Sequence, residues 1–186
     1  MSARSSFGEA RLSRVPIVVG LGLLALGFGI PMLRHATLLD NPHAPHGILT
    51  LQMTYDARDA GVILSSWSRE DLGHATTSLY WDTGFAIAYG GFLSALTRRC
   101  LRRDSRVALV TACLPILAAM ADLAENTFHL MLIDTARNGL EGTIDVPVFA
   151  GFVFASTKWG LLAAWAVLLL SGLSVRIFRQ SPRKSP

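Results

Sequence analysis

The 186-residue sequence predicts an all-α fold, an integral membrane four-helix bundle with an extended exterior loop that carries a short amphipathic helix. Three observations predict it. Apolar residues make up 51% of the chain and charged ones only 16%, with a mean hydropathy of +0.41, far from a soluble profile. Four stretches, 15–33, 77–97, 107–133 and 148–175, are apolar and long enough to cross a hydrocarbon core of about 30 Å at about 1.5 Å per residue. Basic residues are also divided sharply between the segments that flank these stretches.

The first stretch follows Arg4, Arg11 and Arg14, as the core of a signal peptide would. It is long, however, shows no small-x-small cleavage site before Pro31 and is followed by three more spans, so a retained helix is expected. Its glycines Gly20, Gly22, Gly27 and Gly29 allow close helix approach, and Gly84, Gly90 and Gly91 do the same in the second span. Between these spans the connection 35–76 is too long for a plain turn. It opens with Asn41-Pro42-His43-Ala44-Pro45-His46-Gly47, a run of turn formers, and then offers a helix from an Asp56 N-cap to Trp67. Val62, Ile63 and Trp67 fall at spacings that share a face, so this helix either lies flat as a lid over the bundle mouth or packs as an ordinary loop helix.

Tyr80 and Trp81 read as interfacial anchors at the top of the second span. The last two spans exceed the minimum length, which implies tilt or ends that emerge from lipid. Between them, the Gly- and Asp-rich stretch 134–147 reads as a simple connector. No internal repeat is visible, and residues 1–178 form one transmembrane domain followed by a disordered tail, 179–186.

Counting charges outside the spans fixes the threading. The N-terminal tail, the connection from Arg98 to Arg106 and the C-terminal tail together hold twelve basic residues against two acidic ones, Glu9 and Asp104. The opposite side holds four arginines, Arg34, Arg58, Arg69 and Arg137, against eight acids. The positive-inside rule puts both termini in the cytoplasm, in a bacterial inner membrane. The net charge of +4 then reflects threading and anionic lipid; nucleic acid is excluded as a partner, since no aromatic-interleaved basic surface accompanies it.

Inside the spans lie Asp82, Asp122, Glu125 and Lys158. Charges at that depth are costly and face a bundle interior, pair with one another or line a pathway. Counted from the cytoplasmic arginines at about 1.5 Å per residue, the four stand roughly 24–28 Å up, one layer in the exterior half. Asp122, Glu125, Asn126 and His129 follow the i, i+3, i+4, i+7 pattern of one helix face. Tyr89 shares the face of Asp82, seven residues below it. Three acids against one lysine is an imbalance that a proton, a cation, water or a second positive charge from Arg34 must relieve.

Three classes of function fit this layer and stay open. Asp82, Asp122 and Glu125 are candidate catalytic residues of a lipid- or terpene-modifying enzyme, one carboxyl donating a proton while a neighbour stays ionised. Lys158, Asn126, His129, Tyr89, Arg34 and Trp67 are candidate ligand-binding residues for a lipid, an isoprenoid-like molecule, a proton or a small cation. Alternatively the charges only hold the bundle together in an oligomer or a partner-docking subunit, with Lys158 bridging Asp82 and Asp122 and Asn126 serving backbone groups.

No cofactor is expected, since phosphate loops and dinucleotide motifs are missing. No metal is expected either: His43-x-x-His46 lies in a proline-rich loop, and neither HExxH nor paired Cys/His spacing occurs. Cys100 and Cys113 match no redox motif and read as packing residues. Ser156 and Thr157 lack a nucleophile elbow. Trp67, Asp82 with Phe85 and Tyr89-Gly90, then Asp122-x-x-Glu125-Asn126, resemble a pattern found in small four-helix bacterial inner-membrane proteins. The resemblance spans roughly residues 45–170; it implies a bacterial inner-membrane bundle and carries no activity to transfer.

Overall fold

Four long helices and two short ones make up the computed structural model, which describes residues 15–101, 106–139 and 143–180. The described residues are helical apart from turns and one isolated bridge between Asn41 and Ala44. The tail expected to be disordered lies, beyond Gln180, outside the described residues, while positions 179 and 180 belong to the last helix.

Helix α1, Val15–Ala36, runs through Pro31 and tightens into a 3-10 turn, Thr37–Leu39. Asn41 then closes a turn by accepting, through its side chain, from the backbone N–H groups of His43 and Ala44. Gly47 follows at φ +51°, where a Cβ would come within 2.6 Å of the Ala36 carbonyl. Only glycine lets the loop fold back so closely on the end of α1. A short helix α2, Ile48–Gln52, comes next and was not expected.

Helix α3, Ala57–Ser66, starts where the sequence suggests, with the Asp56 carboxylate accepting from the N–H groups of Arg58 and Asp59. Trp67 ends it and is buried rather than placed at a lipid interface, its indole N–H donating to the Leu39 carbonyl at 3.2 Å.

Helix α4, Arg69–Cys100, begins eight residues before the apolar stretch that predicts it. A capping box explains the early start: Ser68 Oγ accepts from the Asp71 N–H, and the Asp71 carboxylate accepts from the Ser68 N–H. The hydrogen bonds from the Ser68 hydroxyl and N–H hold the Asp71 carboxyl below its ordinary range. Helices α5, Arg106–Arg137, and α6, Asp145–Gln180, likewise outrun their apolar cores.

Three of these helices are long and apolar enough to cross a membrane: α1 with its 3-10 extension, α5, and α6 as far as Arg176. Helix α4 matches them in length, but Thr, Ser, Tyr and Gly residues dilute its apolar run. The long helices pack in chain order, α1 on α4, α4 on α5 and α5 on α6, while α1 and α6 share no packed interface. The arrangement is thus a row with two inner helices, α4 and α5, and two edge helices. It is bent enough that α6 also reaches the end of α4, where the Trp165 indole N–H donates to Thr97 Oγ1 at 2.8 Å.

Three apolar clusters fill the row. The largest joins the loop and short helices to the helix ends through Leu39, Leu51, Leu64, Trp67, Leu79 and Leu132. A middle cluster is built on Ala25, Ala86, Tyr89 and Ala119, and a small one at the other end on Leu101, Ala108 and Leu169. Of the two cysteines expected to pack, Cys100 is half-buried against that last cluster, whereas Cys113 is exposed.

Candidate functional site

The helical spacing of α5 sets the site. Asp122, Glu125, Asn126 and His129 lie on one face, and that face is fully covered: their exposures are 2%, 0%, 2% and 1%. From α6, Lys158 reaches into the same layer with 6% of its surface exposed. Its ammonium donates to Asp122 Oδ1 at 2.8 Å and stands 2.7 Å from Glu125 Oε2.

The two carboxylates are held differently. Asp122 also accepts from the Tyr89 hydroxyl of α4, through Oδ2 at 3.1 Å, so each of its oxygens has a donor. Glu125 takes the same ammonium through Oε2, whereas its Oε1, 4.0 Å from His129 Nδ1, has no hydrogen-bond partner among the described residues. Glu125 Oε1 is thus a buried carboxylate oxygen without a donor, in a layer where it would ordinarily be paired. Asn126, one residue on, is equally buried and faces Asp82 of α4.

His129 is oriented by its own helix. Its Nδ1 stands 3.0 Å from the Glu125 carbonyl, which can only accept, so Nδ1 carries the proton and Nε2 is left as the acceptor in the neutral ring. Gly151 of α6 makes room for this ring, since a Cβ there would fall 3.1–3.2 Å from the imidazole. Asp82 completes the layer from α4; it is buried and close to Asp122, Lys158 and Asn126. The chain of contacts thus runs from Tyr89 through Asp122 and Lys158 to Glu125, with His129 one turn above.

The predicted residues Asp82, Asp122, Glu125, Lys158, Asn126, His129 and Tyr89 come together. Arg34 and Trp67 do not. Arg34 sits exposed at the end of α1, which packs on α4 alone, and forms no ion pair among the described residues. Trp67 belongs to the apolar cluster above. The lysine also bridges otherwise than expected: it joins Asp122 to Glu125, which stand side by side at i, i+3 opposite α6, rather than Asp82 to Asp122. Nor does the Asn126 side chain bond a backbone group among the described residues; it faces Asp82 instead. Gly151 was missed, and nothing in the sequence sets it apart from the other glycines of the apolar stretches.

Space is distributed away from these charges. A groove of about 440 Å³ between α1 and α4 is lined by Gly20, Leu23, Leu24, Gly27, Phe28 and Trp81. A second cavity, about 290 Å³, lies between the loop and α3 and includes His43 and Asp59. Neither includes a residue of the charged layer. Among the described residues no three of His, Cys, Asp and Glu are grouped to hold a metal ion.

The layer lies near the middle of the long helices, because α4, α5 and α6 all extend several turns beyond it on both sides. Apolar clusters close it above and below. An arrangement of three carboxyls around one ammonium, shut away from water, can hold a proton or a small cation and shift it among neighbouring oxygens. No protein-family model, curated protein or solved structure matches the chain.

Proposed function

We propose that the chain is a multi-pass bacterial inner-membrane protein of four crossing helices, with both termini and the Arg98 to Arg106 connection cytoplasmic, whose buried layer binds a proton or a small cation. Charge parity supports a crossing by α4: without it, the arginines after Cys100 and those at one terminus would lie on opposite sides. Its 32 residues span about 48 Å, ample for a bilayer.

The observation that carries the functional reading is Glu125. It is wholly buried, shares its one close ammonium, that of Lys158, with Asp122, and has no hydrogen-bond donor on Oε1 among the described residues. Three carboxylates and one ammonium in low dielectric cannot all stay charged without a further positive charge, and Arg34 does not supply it. A proton or small cation at Glu125 would satisfy both the charge and the unpaired oxygen. A lipid or isoprenoid headgroup has no comparable support, since neither the groove between α1 and α4 nor the loop cavity is lined by a residue of the layer. A structural role is the second reading, favoured by the hydrogen-bonded Tyr89, Asp122 and Lys158.

Infrared difference spectroscopy on purified protein in nanodiscs tests this. Stepping the pH, and separately adding Na⁺ or K⁺, should change a carboxylic acid C=O band that disappears in Glu125→Gln or Asp82→Asn. A wild-type protein with no such band at any pH, and no cation response, refutes the binding reading and leaves the structural one.

A further inference from the structure

Away from the charged layer, two imidazoles meet across the α1 and α4 interface. His35 Nδ1 and His74 Nδ1 stand 3.1 Å apart, with the rings tilted by 33° and both side chains half-buried. Two nitrogens at that separation either share one proton or share a metal. Ligands bound to one ion at about 2.0–2.1 Å stand about 2.9 Å apart at a right angle and about 3.4 Å apart at the tetrahedral angle. The observed spacing falls between these, so no rearrangement of the helices is needed to admit an ion.

The surroundings favour a cation. Glu70 Oε1 lies 3.9 Å from the other nitrogen of His74, Nε2, and Asp71 is close enough for the ring to influence its charge. A carboxylate on the Nε2 side draws the ring proton there and leaves the Nδ1 lone pair aimed at His35, as carboxylates do behind metal-bound histidines. Glu70 is 87% exposed, so its carboxylate is open to water while it faces Nε2.

Placement gives such an ion something to do. Helix α1 packs on α4 and on neither of the other long helices, and among the described residues the other polar side-chain link between the two is Ser78 Oγ donating to the Met32 carbonyl. We propose that His35 and His74 form a two-imidazole site for a borderline-soft divalent metal ion, which clamps α1 to α4 at their loop-side ends. The site is independent of the reading of the buried layer.

The test uses the full chain without a histidine tag, stripped of metal in detergent. One equivalent of Cu²⁺ should give an electron paramagnetic resonance spectrum with superhyperfine coupling to two nitrogens, lost in His35→Gln and in His74→Gln and kept in the His43→Ala, His46→Ala double variant. Zn²⁺ at about a hundred times its Kd should raise the wild-type Tm by about 5–10 °C, and neither glutamine variant should respond. Coupling to fewer than two nitrogens in the wild-type protein, which needs no variant to fold, overturns the site and leaves a hydrogen-bonded pair of neutral rings. So does a two-nitrogen spectrum that survives in His74→Gln or vanishes with His43 and His46.

Discussion

Lys158→Met removes the only cation from the buried layer while keeping most of the apolar stem. The ammonium it deletes stands 2.8 Å from Asp122 and 2.7 Å from Glu125. Breaking a buried pair from one side costs about 3–5 kcal/mol. A second route gives the same scale. The variant must hold one more proton than the wild type to stay near neutrality, and holding a carboxyl with an ordinary pKa of about 4 protonated at pH 7 costs about 1.4 kcal/mol per pH unit, or about 4 kcal/mol. The folded variant then binds more protons than its unfolded chain, so its stability falls as pH rises. The expected loss is about 4 kcal/mol at pH 7, shrinking to about 1–2 kcal/mol at pH 5. Equilibrium unfolding in mixed micelles, followed by tryptophan fluorescence at several pH values, measures it. Adding Asp122→Asn to Lys158→Met should recover part of the loss through a coupling of about 0.5–3 kcal/mol. A loss under about 1 kcal/mol, or one that does not change with pH, would show that the two carboxylates do not depend on the Lys158 ammonium.

Ser68→Ala should cost about 1 kcal/mol near neutral pH by opening the capping box of α4. The Asp71 carboxyl sits below its unfolded value, so its stabilisation is present above that value and fades as pH falls through the folded one; the Ser68→Ala penalty should shrink below about pH 4, as paired pH-dependent unfolding curves would show. Gly151→Val drives two methyl groups into the His129 ring and should cost about 1–3 kcal/mol, with a shifted His129 ring resonance by NMR; an unchanged resonance counts against the packing described here. In a background lacking Cys100 and Cys113, cysteines placed at Arg102 and at Asp59 should be labelled from opposite faces of oriented vesicles; labelling of both from one side would sink the threading.

The residues of the site were legible because helical period and charge cost are local properties. Asp122, Glu125, Asn126 and His129 share a face whatever the tertiary structure, and depth counting brought Asp82 and Lys158 level with them. Their pairing was not legible, since choosing between Asp82 and Glu125 as the second partner of Lys158 needs the rotation of α6 about its axis. Arg34 was misjudged in height and helix: Met32 meets Ser78 and His35 meets His74, which sets Arg34 above the level of Asp82, and α1 packs on α4 rather than on α5. The start of α4 carried a readable signal in Ser68 and Asp71, which the hydropathy of the span concealed. Trp67 carried a misleading one, because a tryptophan beside a membrane suits either an interface or, with its N–H satisfied, a buried cap. Helix α2 depends on Gly47 turning the chain back over α1, a long-range contact with no local signature.

The row arrangement explains which helix carries which charge. Helices α4 and α5 have neighbours on two sides and hold the short carboxyl side chains, whereas edge helix α1 has no ionisable residue between Val15 and Leu33. The other edge helix, α6, contributes a single buried charge, and it is the residue type with the longest flexible stem. A lysine on an edge helix can run its methylenes along apolar surface and deliver the ammonium inward, which an aspartate cannot do. Exchanging the pair, Asp122→Lys with Lys158→Asp, preserves net charge but asks the inner helix to house the long chain and the edge helix to reach with the short one. The exchanged protein should therefore be at least as destabilised as Lys158→Met, by about 3–5 kcal/mol in the same micelle assay, despite its balanced charge. Recovery to within about 1 kcal/mol of the wild type would show that charge balance alone governs the layer and that the reach of each side chain does not, since a pair held only by net charge is indifferent to which helix supplies which sign.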